Sequence, residues 1–77
     1  MLSFFKTEKE IAKDIARRER NKRKLYKLTQ QELANKSGVS LGSLKRFEST
    51  GNISLKSLLK LAFVLDSQID FDNLFKI

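Results

Sequence analysis

With neither cysteine nor histidine in the chain, thiol and imidazole catalysis, disulfides and zinc fingers are excluded by composition. The remaining groups able to do chemistry are serines, lysines and carboxylates, scattered over what read as helix surfaces. General acid–base or nucleophilic catalysis needs a pocketed, perturbed group with an orienting neighbour, and no such pairing is visible. The expectation is a protein that is not an enzyme, with no catalytic residue, no cofactor, no metal and no small-molecule ligand. What the residue types do suit is non-covalent capture of an anion. Sixteen Lys and Arg against nine Asp and Glu give a net charge of +7 and a pI near 10, which calls for an anionic partner, though solubility accounts for part of it. Residues 6–27 hold ten of the cations against four acids, so this first segment carries +6 of the +7. A second cationic feature lies mid-chain, where Lys45 and Arg46, with Leu41 and Gly42, fall on a helix face that no core needs.

Two short helices must position that face. Thr29 and Glu32 form a capping box, so a helix starts at Gln30 with its first orphan N–H groups satisfied. Leu33 and Ala34 face inward, and Ser37-Gly38 ends the helix because glycine takes the left-handed conformation without steric cost. Val39 plugs the corner. Ser40 is a good N-cap for a second helix over about 41–48, with Leu44 and Phe47 or Glu48 on its buried stripe. Helices of about eight residues are marginal alone, so the rest of the chain has to hold them.

Upstream, Thr7 and Glu10 form another capping box, and the chain reads as helix from there to about Lys24 or Leu25. Ile11, Ile15, Arg18, Lys22 and Leu25 recur at stripe spacing. Either the two basic residues pack their stems and send their charges to water, or the helix projects past the domain and offers Ile11 and Ile15 to a partner. Phe4 and Phe5 read as an apolar anchor or as disorder. Downstream, Ser49-Thr50-Gly51-Asn52-Ile53 reads as a polar loop able to approach a phosphate backbone. Ser54 then caps a fourth helix with Leu55, Leu58, Leu59, Ala62 and Leu65 on one face, while Leu61, Phe63 and Val64 widen the apolar arc. Residues 66–77 form a short helix capped by Asp70, or a dimerisation tail. Their apolar residues, Phe71, Leu74 and Phe75 among them, either roof the core or join Leu61 and Phe63 in a subunit interface.

At 77 residues the chain is expected to be one small domain with little room for a catalytic cavity. The expected fold class is all-α, a compact bundle of four to five helices, consistent with three glycines in turn contexts and no proline. Met1 to Phe5 is too short for a signal-peptide core. The longest apolar run, Leu61 to Leu65, is far below the ~18 residues of a membrane span, so a soluble, cytoplasmic protein is expected.

L-T-Q-Q-E-L-A, then G-V-S, then F-E, and S-L-x-x-L-L-x-L-A resemble the helix-turn-helix domain of the lambda repressor and Cro (XRE) family, over roughly Lys22 to Leu65. The resemblance implies a regulator, with a repressor the expected form, that binds double-stranded DNA with the second helix of the pair in the major groove. It implies phosphate contacts from Gln30 and Ser40, to which the polar loop adds Ser49, Thr50 and Asn52 as candidates, and, since family members begin their first helix only a few residues before the position of Ile15, it makes residues 1–10 an extension. Leu41, Gly42 and Lys45, with Ser43 and Arg46 nearer the edge, match its base-reading positions. Leu41 and Gly42 depart from the polar readers common there. An exposed mid-helix glycine costs ~1 kcal/mol against alanine, and close approach to the groove floor would be a reason for it. Leu41 could then meet a thymine methyl, with Lys45 or Arg46 on guanine. The alternative is that Gly42 carries no role and the two cations only neutralise phosphates. The family also implies an Arg23–Glu48 ion pair setting the recognition-helix angle, and a two-fold homodimer on half-sites about 34 Å apart. The run from Gly38 to Ala62 is further similar to the HipB-like antitoxins of HipA-type kinase toxins, which would add a toxin partner. The remaining alternative is a basic helical module for a membrane surface or an acidic protein.

Overall fold

The computed structural model describes residues 6–77, which form five helices in chain order. They are α1 (Glu8–Leu25), α2 (Gln30–Ser37), α3 (Leu41–Thr50), α4 (Leu55–Val64) and α5 (Gln68–Asp72). The expected helix starts at Thr7, Thr29, Ser40 and Ser54 are present, each with its side chain accepting a backbone N–H two or three residues into the helix, and the first two as complete capping boxes. The expectation for Phe4 and Phe5 lies outside the described residues.

The core is built from Ala16, Leu33, Ala34, Val39, Leu44, Phe47, Leu61, Ala62 and Leu65. α1 packs chiefly on α3, α2 bridges α3 and α4, and α4 carries α5. Both short helices of the central pair are therefore clamped from inside by longer ones, which supplies the stability their length denies them.

Four sequence expectations are corrected by this packing. The inward line of α1 runs through Ile15, Ala16, Glu19 and Arg23, one residue round from the expected stripe. Arg18 and Leu25 consequently face solvent, Leu25 at 75% exposure. Lys22 is half-buried and donates to Ser67 Oγ at 2.6 Å. In α4 the buried residues are Leu61, at 1% exposure, and the expected Ala62, while Leu55 is exposed. Leu61 is thus spent on the core and leaves the set of interface candidates. Asp70 does not cap the last helix. α5 begins at Gln68 after Ser67, which makes no side-chain cap bond. Finally, α3 runs to Thr50, two residues beyond the expected end, and stops where Gly51 turns left-handed at φ 85°.

Candidate nucleic-acid interface

The geometry of the α2–α3 pair follows from one tight corner. Gly38 ends α2 at φ 77°, its N–H reaching Ala34 O at 3.0 Å. Val39 drops into the core, and its N–H is taken by Ser37 Oγ at 3.1 Å. Ser40 then accepts from Ser43 N at 3.1 Å and donates to Ser43 Oγ at 2.8 Å, which opens α3 with its cap filled.

A charge cluster joins α1 to α3. Arg23 makes the two-pronged pair with Glu48, Nε to Oε2 and Nη2 to Oε1, each 2.9 Å, and its Nη1 donates to Leu28 O at 2.8 Å. Both side chains are almost fully buried. Gln30 Nε2 donates to Glu48 Oε1 at 3.0 Å, so α2 is tied into the same knot. This fork geometry is the form in which arginine holds a carboxylate best. Burial by itself would raise the Glu48 pKa, but the hydrogen bonds from Arg23 and Gln30 outweigh it and hold Glu48 below the usual carboxylate range.

Sequence reasoning missed the fourth member of this cluster. Glu19, one turn before Arg23, has both carboxylate oxygens buried and without a hydrogen-bond donor. Burial first, and then the neighbouring Glu48 carboxylate, push its pKa up to about 8, against the smaller pulls of Arg23 and Arg20. Two buried carboxylates share one arginine, so one of them keeps a proton near neutrality, and a protonated Glu19 can donate to Glu48. The signal in the sequence was an acid four residues before a helix-pairing arginine, in a helix otherwise full of solvated charge.

On the outward side of α3, Gly42, Lys45 and Arg46 are exposed. No ion pair among the described residues involves either cation. A Cβ at Gly42 would meet nothing within 4 Å, so nothing inside the chain requires glycine there. Leu41 differs from its expectation: it is half-buried and packs against the core, leaving only part of its side chain outward. Ser43 is half-buried on the same first turn.

The polar loop is shorter than expected. Ser49 and Thr50 belong to the last turn of α3, and both hydroxyls donate to Arg46 O, at 3.1 and 2.7 Å. Thr50 Oγ1 also accepts from Asn52 N at 3.1 Å. Asn52 is exposed and its side-chain amide makes no hydrogen bond among the described residues. Gln30, read as a phosphate contact, has its amide engaged by Glu48, while the hydroxyl of Ser40 serves the α3 cap.

A short helix held rigidly from within, ending a tight corner and offering unpaired cations and a bare glycine to solvent, defines a helix-turn-helix DNA-binding domain. The model of the family described as Helix-turn-helix matches residues 20–77. The chain belongs to that family, of the lambda repressor and Cro (XRE) type, and is a DNA-binding regulator of the helix-turn-helix class. Neither a curated protein nor a solved structure matches it. Among the described residues no helix is long and apolar enough to cross a membrane.

Proposed function

We propose that the chain is a sequence-specific transcriptional repressor that seats α3 in the major groove and blocks the promoter by occupying it. The observation that carries this is the division of α3 into two faces. Leu44, Phe47 and Glu48 are locked inward by core and ion pair, while Gly42, Lys45 and Arg46 stand free. A rod fixed on one side presents its other side at a defined angle, which base readout requires. Lys45 and Arg46 reach base edges or the flanking phosphates, Gly42 lets the helix approach closely, and Ser40, the spare amide proton of Gln30 and Asn52 hold the backbone. Ser49 and Thr50 contribute less than their side chains suggested, because Arg46 O already engages both.

Selection of binding sites from a random duplex library tests the reading, with affinity measured at two salt concentrations. A recovered motif whose binding outlasts the steep salt loss of non-specific phosphate contacts supports it, and recovery of no motif overturns it. Given a motif, Lys45→Ala or Arg46→Ala is expected to cost about 1–3 kcal/mol and to relax one base position if the residue reads a base. An equal loss on every sequence marks a phosphate contact.

A second reading, an antitoxin that also binds a kinase-like toxin, is favoured by the apolar residues of α4, α5 and the C-terminal tail. Phe63, Ile69, Leu74 and Phe75 are exposed there. Copurification with the product of the neighbouring gene supports this reading; its absence leaves the same residues to a second copy of the chain.

A further inference from the structure

The first turns of α1 lie before the region matched by the family, yet they are seated on the turn that ends α3. A Cβ built on Gly51 would stand 2.9 Å from the carbonyl carbon of Ala12, 3.0 Å from the nitrogen of Lys13 and 3.1 Å from the Ala12 Cβ. Backbone therefore meets backbone. Ala12 and Gly51 are small where the two segments touch, and Gly51 adopts φ 85°, which a side chain would resist twice over.

This close seat leaves a shallow groove between the N-terminal half of α1 and the α3–α4 turn, with Lys9 and Lys13 on one wall and Ser49, Thr50 and Asn52 on the other. Glu8 stands at the same wall as the lysines, so the groove itself is positive by one charge. The other basic residues of this stretch are differently placed. Lys6 and Arg17 both pair with Asp14, at 2.5 and 2.7 Å, and hold its pKa down to about 2. Lys9 and Lys13 make no ion pair among the described residues. On the facing wall the hydroxyls are committed to Arg46 O, and the side-chain amide of Asn52 is free.

We infer that this groove receives a phosphate of the DNA backbone flanking the half-site, with Lys9 and Lys13 as its cations and the Asn52 amide as a third donor. The N-terminal half of α1 then belongs to the DNA-binding surface and lengthens it beyond the helix-turn-helix. The inference rests on the DNA-binding reading, and three features favour it. The two lysines of α1 and the Asn52 amide of the α3–α4 turn line the same groove from separate segments. The seat at Gly51 fixes these segments against each other. The groove also continues from the end of the helix that faces the duplex.

The test uses the full chain and a 24-base-pair duplex of arbitrary sequence, because backbone contacts carry no sequence information. Lys9→Gln/Lys13→Gln is compared with Lys60→Gln/Lys76→Gln, which removes the same charge at exposed residues that do not line the groove. The first variant is expected to make the slope of log affinity against log salt shallower by about 1–2, and the control pair by much less. Shortening a duplex that carries the selected site by four base pairs on the flank is expected to weaken the parent several-fold and the Lys9→Gln/Lys13→Gln variant little. Equal slopes for the two variants, or an equal penalty for shortening in parent and variant, overturn the groove while leaving the regulator reading in place. Binding of the parent to an acidic peptide as tightly as to duplex overturns it in favour of a protein partner. A parent that binds no duplex removes both readings, and circular dichroism confirms that each variant is folded.

Discussion

Around Arg23 the charges do not balance, and that imbalance sets how the domain responds to pH. One guanidinium faces Glu48 at 2.9 Å and, at longer range, Glu19, whose oxygens have no donor. Removing Arg23 strands Glu48, frees Leu28 O and brings two carboxyls face to face without a cation. Arg23→Ala is expected to cost about 3–5 kcal/mol, much of what a domain this small possesses, and thermal unfolding at neutral pH measures it. Glu19 works in the opposite direction. Its folded pKa of about 8 lies above the ordinary 4.5, so between those values the folded state binds more protons than the unfolded one, and stability declines as pH rises. Glu48 is depressed, so its contribution is present above pH 4.5 and is lost as pH falls through its folded pKa. Stability from this cluster should thus peak on the mildly acidic side. Glu19→Gln, which keeps a donor for Glu48 at every pH, is expected to flatten the decline between pH 5 and 8 and to stabilise the protein by about 1–2 kcal/mol at pH 8, allowing for relaxation and water penetration. Denaturant melts across that range check both signs. An unchanged profile would mean that Glu19 is ionised and solvated in the folded state.

The three glycines separate what local chemistry explains from what packing decides. Gly38 and Gly51 both follow a helix at positive φ, but Gly38 has open space around it and Gly51 has the α1 backbone. Gly38→Ala is expected to cost about 1 kcal/mol for the left-handed conformation. Gly51→Ala adds a collision with main chain, and about 2–4 kcal/mol is expected. Gly42 is helical with nothing near it, so Gly42→Ala should stabilise the fold by about 0.5–1 kcal/mol. If α3 approaches the groove floor closely, the same change weakens DNA binding; equal or tighter binding would remove Gly42 from the interface. The roles of Thr29, Gly38 and Ser40 were legible from sequence because caps are local chemistry. The fork between Arg23 and Glu48 was legible only through the family likeness, since 25 residues separate its members. The face of α1 was misread because two of its inward positions are Glu19 and Arg23, which a pattern anchored on apolar residues passes over. Gly51 gave no hint of its seat on Ala12, because that contact joins elements a sequence pattern cannot place together.

At the scale of the molecule, the exposed apolar residues of α4, α5 and the tail and the net charge make opposing demands on self-association. Phe63 is 65% exposed and Phe75 fully so, with Ile69 and Leu74 beside them on α5 and the tail. Phe71 is half-buried in a groove against Ile15, Leu58 and Leu65, which Leu74 also lines at its edge, so α5 is anchored while Ile69 and Phe75 stay exposed. A two-fold dimer through these residues would bury them and keep them clear of α3, whose partners in the fold are α1 and α2, and two-fold symmetry is what a palindromic site requires. Each copy, however, carries +7, and bringing two together costs Coulomb work that salt screens over about 8 Å at physiological strength. Dimerisation in free solution is therefore expected to tighten as salt rises, whereas DNA binding weakens, and a duplex with two half-sites should promote the dimer by neutralising both copies. Sedimentation equilibrium at 50 and 300 mM salt, with and without duplex, measures the two trends separately. Phe63→Lys/Leu74→Lys changes only exposed side chains, so its melting temperature should stay close to the parent's. It should remain monomeric and bind a two-half-site duplex about 10²-fold or more weakly than the parent does, approaching single half-site affinity as the effective-concentration advantage is lost. A parent that stays monomeric on a two-site duplex, filling its half-sites independently, would leave this surface to a different protein.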